Sequence, residues 1–142
     1  MSLSTFARLF FCLASLATAN IFAQEDQEAA SAAAAKEWLE LVDKGDYSSS
    51  WQTASPRLQL TLPKDQWDQY MKNIRGSLGE VKSREIARQQ PAQDPQGLPA
   101  GAYMVILYQT SFAGKDNVPE LVTLSQGYDG KWRVLTYFIK SN

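Results

Sequence analysis

The chain has 142 residues, 14 Lys and Arg against 15 Asp and Glu, one cysteine and no histidine. A net charge of −1 with no block of like charge lacks the electrostatic footprint of a nucleic-acid binder. Imidazole chemistry is excluded outright, and the lone Cys12 lies in a segment that reads as a leader, so the remaining chain cannot form disulfides.

That leader is residues 1–23. Arg8 supplies a positive start, Leu9 to Ala17 an apolar run, and small residues precede two cleavage points, after Ala19 or after Ala23. The run is shorter than the roughly 20 residues a membrane-spanning helix needs, so no anchor is expected after cleavage. Phe11 stands where a lipidation site needs a small residue, which argues against Cys12 as a lipid carrier. Residues 24–142 are then one domain, exported to the periplasm or secreted, and held by burial alone.

Beyond an acidic, alanine-rich stretch, Ala34, Trp38, Leu41 and Val42 form one helical stripe, with Glu37, Glu40, Asp43 and Lys44 opposite and Gly45 as the stop. Asp46 caps a short helix carrying Tyr47 and Trp51, which ends before Pro56. Leu58, Leu60 and Leu62 alternate, so the connector fits either an extended or a helical form. From Pro63 to Ser77 a helix is predicted, with Pro63 as its first residue and Trp67, Tyr70, Met71, Ile74 and Leu78 on one face.

After Gly79 the period changes to that of strands. Glu80 to Gln89 is a polar, Arg-rich strand, and Gln90 to Gly101, with three prolines and two glycines, reads as a loop. Tyr103 to Phe112, Glu120 to Tyr128 and Lys131 to Ile139 are further strands, the last two joined by Asp129-Gly130 in a turn whose two central residues take positive φ. Helices followed by hairpin-linked strands give an α+β fold, with N-terminal helices packed on a C-terminal antiparallel sheet of about four strands. On the last strand strict alternation puts Trp132, Val134 and Phe138 on one side, and Arg133, Leu135, Tyr137 and Ile139 on the other. Both faces would then be largely apolar.

The pattern resembles an exported bacterial family known only as domain of unknown function number four thousand and nineteen. The resemblance rests on Trp38-Leu39, Val42 to Tyr47, Ser50-Trp51-Gln52, Ala54-Ser55, Trp67, Arg75 to Gly79, Ser83-Arg84, Tyr108 to Phe112, Asp129 to Val134, and Tyr137 to Lys140. Where that family usually has glycine before the last tyrosine, this chain has Thr136. The family implies export and no assigned activity. Its order of elements is also similar to the cone-shaped fold of nuclear transport factor two, in which helices and a curved sheet enclose a pocket.

Among the residues left for chemistry, the carboxylate pairs Glu37/Glu40 and Asp65/Asp68 fall off the apolar stripes and read as solvated faces. No phosphate-cradling loop, calcium loop or zinc spacing occurs, and no cofactor is expected. Trp38, Trp67 and Trp132 read as core. The candidate pocket residues are Trp51, Arg84, Glu85, Tyr108, Arg133 and Tyr137, with a surface ion pair as the competing role for the arginines. The expectation is a non-enzymatic binding or interaction module for a small ligand or an envelope protein, without nucleic acid or membrane anchor, and with a homodimer through the sheet as one arrangement. The alternative is a small isomerase or dehydratase with a buried Asp or Glu as base and Tyr108 or Tyr137 as hydrogen-bond donor.

Overall fold

The computed structural model describes residues 12–140; Arg8 and the first residues of the apolar leader run lie outside them. Four helices precede four strands: α1 (Cys12–Asp43), α2 (Tyr47–Thr53), α3 (Pro56–Thr61), α4 (Lys64–Arg75), then β1 (Val81–Gln93), β2 (Ala102–Phe112), β3 (Val118–Gln126) and β4 (Trp132–Ile139). The strands form one antiparallel meander in the order β1-β2-β3-β4. The α+β arrangement read from the sequence is therefore the one observed. Among the described residues no helix is long and apolar enough to cross a membrane.

The helix boundaries follow local chemistry. α1 closes as Gly45 at φ 75° lets Gly45 N–H donate to Val42 and Asp46 N–H to Leu41, which satisfies carbonyls the helix leaves open. Asp46 then caps α2 by accepting from Ser49 N–H. The ambiguous connector is helical: Ser55 accepts from Leu58 N–H, Pro56 starts α3, and Leu58 is buried while Leu60 is exposed. Pro63 sits one place before α4 rather than inside it.

Two strand expectations need correction. The proline-rich loop is shorter than predicted, because β1 runs through Pro91 to Gln93; as an edge strand it has one side free, where a residue without an N–H costs no ladder bond. At the last hairpin only Gly130 has positive φ: Gly130 N–H closes a turn onto Gly127, and Gly127 N–H pairs with Lys131. This is a type I turn followed by a left-handed glycine, a three-residue hairpin loop rather than the two-residue one.

The strict alternation of β4 also fails. Thr123 pairs with Thr136 but Leu124 pairs with Val134, so Leu135 is an extra residue, a β-bulge. Beyond it the faces exchange, and Tyr137 and Ile139 join Trp132 and Val134 against the helices while Phe138 turns outward, 55% exposed. The apolar outer face expected from Leu135, Tyr137 and Ile139 is therefore not built from them. Its observed apolar row is Leu107, Leu121 and Phe138, paired side by side and continued by Arg88 on β1.

The core lies between α1, α4 and the inner sheet face. Ala35, Trp38, Leu39 and Val42 of α1 and Trp67 and Met71 of α4 meet Met104, Ile106, Phe112, Val122, Leu124, Val134 and Tyr137. Trp38 packs edge-on to Tyr137, ring centroids 5.3 Å apart, and 6.0 Å from Trp67. These two buried indoles keep their polar ends paired: Trp38 Nε1 donates to Ser50 O at 2.8 Å and Trp67 Nε1 to Ser50 Oγ at 3.0 Å.

Candidate functional site: a buried carboxylate and the cleft beside it

Strand β3 places Val118, Val122 and Leu124 inward, and the same parity forces Glu120 inward, where it is 0% exposed. A buried carboxylate is tolerated only if paired and hydrogen-bonded, and this one is paired on every side. Arg84 of β1 donates from Nε to Oε2 at 2.7 Å and from Nη2 to Oε1 at 3.1 Å. Thr110 of β2 donates to Oε2 at 2.7 Å, and the Tyr137 hydroxyl of β4 donates to Oε1 in a short hydrogen bond. Four donors occupy the two oxygens, which saturates the lone pairs of a carboxylate.

A second carboxylate closes the network from the helical side. Asp43, at the end of α1, accepts from Arg84 Nη1 at 2.7 Å and Nη2 at 3.0 Å, and from Arg75 Nη2 of α4 at 3.0 Å. Arg75 also donates to the Tyr137 oxygen at 3.2 Å and lies over the Phe112 ring, 4.9 Å from its centre. Two guanidinium groups and two carboxylates cancel in charge and tie α1, α4 and all four strands together.

The protonation states follow from this packing. Burial alone would raise the Asp43 carboxyl, but the hydrogen bonds and charges of Arg84 and Arg75 outweigh it and hold it below the usual carboxylate range. Burial pushes the Tyr137 hydroxyl well up and the Glu120 charge adds to it, so Tyr137 stays a donor. Burial likewise works against charge on Arg84, and its two carboxylate partners override it.

Tyr108 is carried by β2 directly opposite Glu120 on β3. Its hydroxyl is pushed up to about 12, mainly by burial, with Arg84 opposing and Glu120 adding. It has no hydrogen-bond partner among the described residues. Together with Arg84 it opens on a cleft of ≈ 440 Å³ between α1 and the β1–β2 edge, whose remaining walls are Ala32, Ala33, Leu39 and Ile86, with Lys36 and Glu40 at the lip. Of the five N–H groups of Arg84 four are taken, leaving one on Nη1.

A family model described as "Protein of unknown function (DUF4019)" matches residues 34–137. The chain belongs to the DUF4019 family. The matched stretch contains every member of the buried network, from Asp43 to Tyr137, and both Arg84 and Tyr108. No curated protein matches this DUF4019 chain.

Of the sequence-predicted site residues, the DUF4019 fold brings Arg84, Tyr108 and Tyr137 together around Glu120. The other three lie elsewhere. Trp51 is half-buried and structural, its Nε1 donating to Leu62 O at 2.8 Å. Glu85 is exposed on the outer sheet face opposite Gln109. Arg133 forms a surface pair with Asp129 at 2.7 Å. Glu120, Asp43, Arg75 and Thr110 were not among the predicted residues; the legible signal for Glu120 was its place in the inward series Val118, Val122, Leu124. Among the described residues no group of three or more His, Cys, Asp or Glu could hold a metal ion.

Proposed function

We propose that this protein is a non-enzymatic binding module of the bacterial cell envelope, exported by the leader at its start and working through the Arg84–Tyr108 cleft. The observation that carries this is the saturation of Glu120. A general base needs a free lone pair within reach of substrate, and Glu120 has four donors on its oxygens and no exposed surface. The enzyme reading required a buried carboxylate beside a tyrosine, and the pair Glu120–Tyr137 has that geometry but is closed off as an internal brace.

The cleft offers instead a binding edge. The spare Arg84 N–H, the Tyr108 hydroxyl and Lys36 supply donors, and Ala32, Ala33, Leu39 and Ile86 an apolar wall, which suits a small molecule with an apolar body and a carboxylate head. Export is supported by the way α1 meets the sheet: Ile21 and Phe22 are 58% and 64% exposed, and among the described residues α1 is tied to the sheet by Gln89 of β1, donating to Glu28 O and Ser31 Oγ. Residues 19–23 are all exposed, so removing them takes nothing from the core.

Titration with hexanoate, followed through backbone amide resonances, tests the reading. Shifts should gather at Lys36, Arg84, Ile86 and Tyr108, and Tyr108→Phe should weaken binding about 2- to 10-fold, the worth of one hydrogen bond. Shifts scattered elsewhere, or none, would remove the cleft as the binding site.

A further inference from the structure

The walls of the Arg84–Tyr108 cleft carry more charge than an anion alone can use. Arg84 is neutralised by Asp43 and Glu120, so the uncompensated charges there are Lys36 and Glu40, one positive and one negative. They stand one turn apart on α1, both exposed, and neither side chain has a hydrogen bond or ion pair among the described residues. Arg84 Nη1 donates to Asp43 Oδ2 at 2.7 Å and keeps its second hydrogen, and Asp43 is the next turn on from Glu40 along the same helix. The Tyr108 hydroxyl is a further donor. Its residue is 5% exposed, and the unpaired hydroxyl is not sealed in, because among the described residues the fully enclosed side-chain polar atom without a partner is Trp132 Nε1. An open, unpaired donor in the wall of a cleft can meet an acceptor from outside.

Taking the cleft as the binding site proposed above, we infer that its ligand is a free α-amino acid with an apolar side chain, the carboxylate on Arg84, Tyr108 and Lys36 and the ammonium on Glu40. Neighbouring side chains on one helix face stand about 5–6 Å apart at Cβ, close enough for one small molecule to touch both Glu40 and the guanidinium held by Asp43. A carboxylic acid without an amine would face Glu40 as a like charge, whereas an ammonium on the adjacent carbon turns that repulsion into a pair. A peptide carries its terminal charges too far apart to do the same. Ala32, Ala33, Leu39 and Ile86 then receive the side chain.

Norleucine and hexanoate share a six-carbon chain and a carboxylate and differ by the ammonium alone, and pentylamine keeps the ammonium without the carboxylate. Titration of isotope-labelled protein with each, followed through backbone amides, should place norleucine and hexanoate at Lys36, Arg84, Ile86 and Tyr108, norleucine binding about 2- to 5-fold more tightly, the worth of one exposed ion pair, and pentylamine more weakly than norleucine. Glu40→Gln, at an exposed helical position, should erase the advantage of norleucine and leave hexanoate binding as tightly as before, which also shows the variant to be folded. Hexanoate binding as tightly as norleucine in the native chain would overturn the inference and leave the cleft standing as a carboxylate site. An advantage of norleucine that survives in Glu40→Gln would overturn it by taking the ammonium away from Glu40. Shifts at the cleft with neither acid would remove the cleft itself, and the inference with it.

Discussion

Arg84 on β1 and Glu120 on β3 meet across the strand between them, the guanidinium reaching over β2 to grip both carboxylate oxygens at 2.7 and 3.1 Å. The same guanidinium holds Asp43 at the end of α1. One side chain thus fixes the helix to the sheet and sets the width of the cleft that Tyr108 lines. Removing one partner of such a pair leaves the other buried and uncompensated. Glu120→Ala should therefore destabilise the fold by about 3–5 kcal/mol in chemical denaturation, and a loss under about 1 kcal/mol would show that the network carries little.

Asp43 gives the network a pH signature. Its carboxyl is held below the ordinary value of 3.8 in the folded chain, so the unfolded chain binds its proton first as pH falls. The stability this group contributes is complete above the unfolded value and is lost as pH drops through 3.8 towards the folded value. Denaturation midpoints measured across that acid window should fall in the native chain and fall less in Asp43→Asn, with no difference in slope near neutrality. Asp129 is depressed in the same direction by Arg133 at the surface, so only the part of the slope removed by Asp43→Asn belongs to the buried network.

Ser50 is a small residue with two duties, accepting from Trp67 Nε1 and donating to Tyr47 O. Ser50→Ala leaves the buried indole N–H unpaired and should cost about 1–3 kcal/mol. Trp51→Phe loses only the partly buried bond to Leu62 O and should cost about 1 kcal/mol. Thermal melts of the two variants should keep that order; the reverse order would place Trp51 closer to the core than its packing does.

Gly114 lies where the β2–β3 turn passes the end of α4. A Cβ there would stand 2.7 Å from Ser77 O and 3.0 Å from Leu78 O, both backbone atoms that cannot rotate away. Gly114→Ala should lower stability by about 1–3 kcal/mol, read from denaturant midpoints. At Thr136, where the family resemblance gives glycine, the side chain is exposed on the outer face opposite Thr123, and nothing there requires a glycine.

What the sequence disclosed and what it hid divide along local and long-range physics. Helix stripes, the Asp46 cap, the Gly45 stop and the strand order follow from neighbouring residues and were legible. The bulge at Leu135 was not, because nothing in Val134-Leu135-Thr136 signals an extra residue, and it alone decides that Tyr137 faces Glu120 instead of solvent. The buried network was half legible: Arg84 and Tyr137 stood out as polar groups in strands, whereas Asp43 looked like part of a solvated helix face. Its role depends on Arg75 and Arg84, 32 and 41 residues away in the chain. Spacing arguments do not reach that far.

The buried carboxylates brace the fold, and the Arg84–Tyr108 edge is the proposed seat of a small molecule. Native mass spectrometry of the protein isolated from its producing cell tests it most directly, with Tyr108→Phe beside it. A non-covalent adduct is expected on the native chain, lost on denaturation and depleted in Tyr108→Phe, on a chain whose mass begins at Asn20 or Gln24. The mass of the bare chain from both proteins, or an adduct equally abundant on Tyr108→Phe, would contradict it.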